Sequence, residues 1–402
     1  EANIPFWKWL REARGKQTEV TWLTDRFRKL SVSDSEKSEL YNSQNLYVRW
    51  KFSDRDSRTG LRSPATTLFY HDGPMLQRRD INLSAEVYKS SPTLERLNTA
   101  DGRAAIDLAL TASTVRYREL YGFSNGDPNS VYRAALGRGV ELVLICLPPD
   151  KRLPLRGYHA AMLYKNGVPI GYFEGLSFFE RMESGFNLYY TFRDGETAWL
   201  YARTLNVMHH LTGVTAFSLD PYQVGFQNEE GIKSGAFWFY RKLGFRSTAK
   251  SIQQLTELEE TKIRSRKTYR TGATTLRRMA KAPMIFETSL ENKGNWDRFQ
   301  IRNLGFRTQQ LMASEFNGDA TRMRDEANAN MNRLCGTINE KYPEGLAVSL
   351  LLVPEATSWS PEEKKLLLRI VEAKQSGTEA RYLKLMQKHV RLRSELIRIG
   401  SL

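Results

Sequence analysis

An α/β fold is what the sequence predicts, and three observations predict it. Between Val140 and Phe245 apolar runs of strand length alternate with segments of helical period. Two of those runs flank an Asn-Gly pair at 166–167, the signal of a β-hairpin. After Phe245 the pattern turns mostly helical and strongly basic, with ten Lys or Arg against three Glu between Arg246 and Lys281. These changes divide the chain into 1–139, an N-terminal α/β region and candidate extension of the same sheet; 140–250, a core; and 251–402, a basic helical region.

Taken in order, "FWKWLREA" opens with a short amphipathic segment. "NLYVRWKF" (Asn45–Phe52) and "ATTLFYHDG" (Ala65–Gly73) read as strands joined by polar loop residues. Ile106, Leu110, Val115 and Leu120 recur at near-helical spacing, with Asp101 as the cap and Gly122 as the stop. "VELVLICL", from Val140, has the length and composition of a buried strand. "YHAAMLYKNGVPIGYFEGLSF" is the hairpin, and Phe186–Phe192 a further strand ending at "RDGETA". Ala198, Tyr201, Ala202, Leu205 and Met208 then share one helical face, closed by Gly213. Val214–Asp220 is a strand, and "GIKSGAFWFYRKLGF" a helix stopped at Gly244. Near the end, Ser360 before Pro361 caps one of two helices that break at Ser376-Gly377.

A chain of 402 residues, 41% hydrophobic and 26% charged, has enough apolar surface for a large core, which excludes wholesale disorder. Its net charge of +15 favours a polyanion, an anionic cofactor or an acidic surface as partner. Cys146 and Cys335 stand far apart, without metal-ligand spacing. They support neither a disulfide framework nor a zinc site, and a reducing, cytoplasmic location is expected. No apolar run approaches the roughly 18 residues of a bilayer span, and the opening "EANIPFWKWLREARGK" has no long apolar segment of the signal-peptide kind. Motifs for P-loops, dinucleotide binding, nucleophile elbows and zinc proteases do not occur.

The strand and helix order from Val140 to Ser247, closed by "AFWFYRKLGF" at Ala236–Phe245, resembles the GNAT (general N-acetyltransferase) acyltransferase superfamily. The resemblance covers about a quarter of the chain. It implies a central mixed sheet, flanked by helices, that splays open between two neighbouring strands, Phe186–Phe192 and Val214–Asp220, to admit acyl-CoA or acetyl-CoA. No metal is implied. The turn "RDGETA" would receive the pyrophosphate at a helix N-terminus, which makes Arg193, Gly195, Glu196, Thr197 and Ala198 candidate cofactor contacts. Aligned on Arg193 and Ala198, Glu196 stands where the family has glycine; aligned on Gly195, Phe192 and Thr197 fall at the other two positions. A carboxylate there is expected to repel phosphate. The family's asparagine is carried onto Asn228, since Lys233 occupies its usual spacing.

Tyr240 matches the position whose phenol protonates the departing thiolate; packing among Phe237, Trp238 and Phe239 is the alternative role. Glu174 and Asp220, in or at the end of core strands, are the candidates for the base that takes the amine proton, with ion pairing or capping as the alternative. His209 and His210 are adjacent and point about 100° apart, so one packs and the other faces water. His159 reads as a strand-start residue. The basic run Lys262–Lys281 interleaves a tyrosine and could track a phosphate backbone. Two functions follow: transfer of an acyl group from acyl-CoA to an amine, or a non-catalytic module of the same fold that binds nucleic acid or protein through its basic surface.

Overall fold

The computed structural model describes residues 4–45, 60–64, 68–116, 118, 120–289, 293–336 and 342–402. It divides into two compact units, Glu1–Ser57 and Arg58–Leu402. The first carries helices α1 (Phe6–Arg14), α2 (Glu19–Arg28) and α3 (Asp34–Ser43). Thr18 caps α2 by accepting from the Thr21 N–H, and Ser33 with Glu36 forms a capping box on α3. Edge-to-face rings join the helices, Trp9 to Trp22 at 6.1 Å and Phe27 to Tyr41 at 5.6 Å. None of the described residues of this unit is buried. The expected strand Asn45–Phe52 lies, beyond Asn45, outside the described residues.

The second unit begins with irregular chain where a strand at Ala65–Gly73 was expected; its described part, from Leu68, forms no ladder. Phe69 instead gives its N–H to Asn166 Oδ1 and takes Asn166 Nδ2 on its carbonyl, each at 2.9 Å, so one side chain does the work of a strand partner. Helix α4 (Leu83–Tyr88) and strand β1 (Glu95–Arg96) follow. Helix α5 (Thr99–Thr114) is capped by Asn98, which accepts from the Asp101 N–H, rather than by Asp101 itself, and the chain re-forms as α6 (Tyr121–Ser124) around Gly122.

Strands β2 (Val131–Gly137), β3 (Val140–Ile145), β4 (Gly157–Lys165), β5 (Val168–Phe178) and β6 (Arg181–Leu188) form an antiparallel meander. The β4–β5 turn is the expected Asn166-Gly167 pair, with φ of 49° and 78°, the two positive values that such a turn requires. β6 starts earlier than expected and stops at Leu188. Its last ladder bond is Tyr189 N–H to Ile170 O, after which Tyr190–Phe192 is a tight turn.

Helix α7 (Thr197–Thr212) buries Tyr201, Ala202, Leu205 and Met208 completely, as its period foretells. Its other side is covered too: Asn206 Nδ2 donates to Val87 O of α4 at 3.0 Å. Strand β7 (Ala216–Leu219), helices α8 (Glu229–Lys233) and α9 (Ala236–Lys242), and strand β8 (Arg246–Ser247) complete the segment that ends at Ser247.

The sheet does not end there. After α10 (Lys250–Ser265) and α11 (Ala273–Met279), strand β9 (Met284–Glu287) pairs with β7 on one side and β8 on the other. Among the described residues the order is β1-β2-β3-β4-β5-β6-β7-β9-β8, and only β6–β7 is parallel. Within Arg58–Leu402 the sheet runs across both positions 139/140 and 250/251. The β2–β3 hairpin straddles the first expected boundary, and β9 carries the third segment into the sheet of the second.

Helices α12 (Ile301–Phe316), α13 (Ala320–Cys335), α14 (Glu344–Leu351), α15 (Pro361–Gln375), α16 (Glu379–Lys388) and α17 (Val390–Gly400) build a second core that also takes in Phe178, Phe179 and Trp296. Ser360 caps α15 as expected, in a capping box with Glu363. A buried pair, Lys374 Nζ to Glu379 Oε1 at 2.8 Å, fixes α15 to α16, and the other Glu379 oxygen accepts from the Tyr158 N–H of β4 at 2.9 Å. Both cysteines are free, and burial pushes their thiols up to about 12. No described helix is long and apolar enough to cross a membrane.

Candidate functional site in the β6–β7 opening

β6 and β7 pair over three residues only, Arg181–Glu183 against Ala216–Ser218. Past Glu183 the ladder stops. Ser184 Oγ still reaches Ser218 O at 3.3 Å, but β7 runs into Asp220-Pro221, where the Asp220 carboxylate accepts from the Tyr222 N–H and turns the chain away. A cleft of about 580 Å³ lies beside the freed end of β6. Gly185 to Leu188 form one wall, the α7 N-terminus a second, and Gln223, Asn228 and Tyr240 a third.

Alternate residues of a strand direct their backbone groups to the same edge. Phe186 and Leu188 thus face the opening, and side chains cover their carbonyls. Gln223 Nε2 donates to Phe186 O at 2.8 Å, and Arg193 Nε to Leu188 O at 2.9 Å.

Gln223 also settles the state of Tyr240. A carbonyl only accepts, so the atom 2.8 Å from Phe186 O must be the amide nitrogen; the same nitrogen lies 3.1 Å from the Tyr240 hydroxyl. Its second hydrogen goes to that oxygen, and the Tyr240 proton is left to point elsewhere. Burial raises the phenol's pKa well above its ordinary value, with the Gln223 bond opposing, so the group holds its proton at neutral pH. Tyr240 packs in the core and borders the cleft at once. Its ring packs edge-on against Tyr201 at 5.5 Å and Phe245 at 5.6 Å, while its residue lines the cleft.

Glu174 lines the cleft as well, opposite Gly185 in the β5–β6 register, where no side chain stands over it. Tyr158 donates its hydroxyl to Glu174 Oε1 and accepts from the Gly122 N–H at 3.0 Å. Burial pushes the Glu174 carboxyl above its usual range, against the pull of the Tyr158 bond. Asp220 belongs elsewhere: it is exposed, caps the turn after β7 and is not part of the cleft wall. It was a base candidate by sequence because it ends a core strand, and capping is what its carboxylate does there.

Of the "RDGETA" residues, all but Glu196 line the cleft: Arg193, Asp194, Gly195, Thr197 and Ala198. Thr197 Oγ1 donates to Arg193 O at 2.8 Å, and Arg193 forms a 2.6 Å pair with Glu230. The first N–H groups of α7 have no acceptor within their own helix and lie at this wall. Glu196 is the correction. It is buried, lies outside the cleft wall, and accepts from Arg138 Nε and the Leu76 N–H, each at 2.9 Å. Burial works against its charge, but those bonds outweigh it and hold the carboxyl below the usual range. The expected repulsion of phosphate therefore does not arise from this residue. Glu196→Ala should lower stability by about 2 kcal/mol at neutral pH, discounted because Arg138 is part-exposed. A depressed pKa stabilises the fold above the ordinary carboxyl range and stops doing so as pH falls through the folded value. Wild type and variant should therefore converge in acid urea titrations.

Asn228 lines the cleft while capping α8, accepting from the Gly231 N–H at 3.1 Å and donating to Tyr222 O at 3.0 Å. His209 is half-buried and bonded to Val214 O at 2.7 Å, and His210 is exposed, as the sequence suggested. His159 is a buried residue of β4. Lys262–Lys281 is less available than its charge implies. Lys262 and Tyr269 both bond the buried Glu259, and Arg277 clamps Glu229 at 2.8 and 2.9 Å. Glu229 adjoins Asn228, so the segment is tied to the cleft wall and is not remote from it. Sequence reasoning missed Gln223 and Tyr158; neither sits in a motif, and both reach the site only through the fold.

Comparison with protein-family models, with curated proteins and with solved structures finds no match in any of the three. Among the described residues no cluster of His, Cys, Asp or Glu is placed to hold a metal ion.

Proposed function

We propose that the protein is a GNAT-type acyltransferase that passes an acyl group from acyl-CoA or acetyl-CoA to an amine. The observation that carries this reading is the parting of β6 and β7 after three paired residues, which leaves strand backbone facing a cleft that ends at a helix N-terminus. A pantetheine arm has amides with strand-like hydrogen-bonding groups, and the Phe186 and Leu188 edge suits them as a sheet edge suits a peptide. Pyrophosphate suits the first turn of α7, where Arg193 would exchange Glu230 for phosphate. In the transfer, the amine nitrogen bonds to the thioester carbon and the carbon–sulfur bond breaks. Glu174 takes the proton that the amine must lose. Tyr240 gives its free proton to the departing sulfur.

Non-catalytic binding through Lys262–Lys281 is the weaker reading, because Lys262 and Arg277 already serve internal carboxylates. Calorimetry with acetyl-CoA and longer acyl-CoAs separates the two. Saturable one-to-one binding, weakened by Arg193→Ala, is expected. No heat with any acyl-CoA, alongside salt-sensitive binding to nucleic acid, would replace the enzyme with the binding module.

A further inference from the structure

One carboxylate of the cleft is held from two sides. Glu230, in the first turn of α8, has its Oε1 2.6 Å from Arg193 Nη1 and its Oε2 3.8 Å from Arg118 Nη2. The arginines come from different elements, Arg193 from the turn between β6 and α7 and Arg118 from the segment between α5 and α6. All three residues line the cleft, so these contacts run between its walls. Arg193 does not depend on Glu230 for its position. Its Nε donates to Leu188 O at 2.9 Å and its Nη2 to Asn187 Oδ1 at 3.3 Å, which fixes the guanidinium and leaves Nη1 as the atom that Glu230 covers. The backbone of α8 is fixed as well: Asn228 caps it, Glu229 clamps Arg277, and Gly231 lies so near Gly225 that a Cβ would stand 3.1 Å from the Gly225 Cα.

We propose that the Glu230 carboxylate is an internal stand-in for a ligand's diphosphate: it occupies a two-arginine anion site until a polyphosphate ligand takes its place. The inference rests on the proposed seat of pyrophosphate at the first turn of α7, which Arg193 adjoins. A diphosphate carries more charge and more acceptor oxygens than a carboxylate, and a guanidinium matches the geometry of either. The exchange costs little, because Glu230 and Arg118 are half-exposed and an ion pair in such a setting is worth a factor of about five at most. Only the Glu230 side chain has to move, since both the helix that bears it and the guanidinium it leaves are held by other bonds. Its departure uncovers Arg193 Nη1 and frees Arg118 for the same ligand. A ligand with a single carboxylate gains no advantage over Glu230, so the exchange selects for polyphosphates.

The test is titration calorimetry of the full chain with inorganic pyrophosphate and, separately, with acetyl-CoA. Glu230→Gln removes the competing charge. Glu230→Asp keeps the charge in the cleft but withdraws it by one methylene from an arginine that cannot follow. Both variants should bind both probes about three- to fivefold tighter than wild type, with helix content unchanged by far-UV circular dichroism. Wild-type affinity for pyrophosphate in Glu230→Gln overturns the proposal. So does a gain in Glu230→Gln that Glu230→Asp does not share, which would mean plain charge repulsion, and so does pyrophosphate that binds no form of the chain. The acyl-CoA reading fails separately. If both substitutions tighten pyrophosphate but acetyl-CoA binds no better than pyrophosphate does, the internal anion stands and the acyl-CoA reading falls; if acetyl-CoA binds and neither substitution changes either affinity, the outcome is the reverse.

Discussion

Glu174→Gln is expected to lower turnover on an amine acceptor by about a thousandfold while leaving acyl-CoA affinity within a factor of about two, since a general base is worth roughly 10² to 10⁴ in rate. The same change should stabilise the fold at neutral pH. Burial raises the Glu174 carboxyl, so the folded state favours the protonated form. That preference contributes fully below the ordinary carboxyl range and is lost as pH rises through the folded value. Glutamine carries no charge to desolvate and can still accept the Tyr158 hydroxyl through its carbonyl oxygen. A thermal melt at pH 7 should therefore show the variant higher than wild type, with the gap closing in acid. The rate of the wild type should climb with pH through a midpoint above the usual carboxylate range. Normal turnover in the variant would move the base elsewhere, and a lower melting temperature would mean that the carboxylate is needed for packing.

Tyr240→Phe should cost about a hundredfold in turnover with little change in folding or in acyl-CoA binding, because the ring contacts to Tyr201 and Phe245 survive and only the proton is lost. Gln223→Glu is the informative companion. A carboxylate at that position would repel the Phe186 carbonyl and draw the Tyr240 proton to itself, so it too should slow turnover while Tyr240 remains present. Equal rates in wild type and Tyr240→Phe would return the residue to the hydrophobic core.

Much of the cleft was legible in the sequence because its parts are local. The Asn166-Gly167 turn, the α7 face and the Gly244 stop each follow from a few consecutive residues. Tyr158 was not, and the reason is a single irregularity. Counted out from the turn, where Lys165 faces Val168, Tyr158 falls opposite Gly175 and so on the face away from Glu174. A register shift between Leu163 and Tyr164 moves the pairing by one, sets Tyr158 opposite Leu176, and brings its hydroxyl to Glu174. Glu196 failed in another way. Its spacing was read as a cleft position, but the first turn of a helix points successive side chains in different directions, and the partner that claims Glu196 is Arg138, 58 residues upstream. Long-range partners of this kind leave no periodic trace.

A strand edge left open in the interior of a sheet is also a template on which another chain can grow, and natural sheets guard such edges against aggregation. Here Gln223 and Arg193 occupy the Phe186 and Leu188 carbonyls, so an incoming strand finds its first two acceptors already taken. A small ligand that brings its own donors gains as much as it displaces, whereas a foreign strand must also clear the cleft walls. Losing both side chains would open this edge to a foreign strand, and the expected first sign is turbidity on standing.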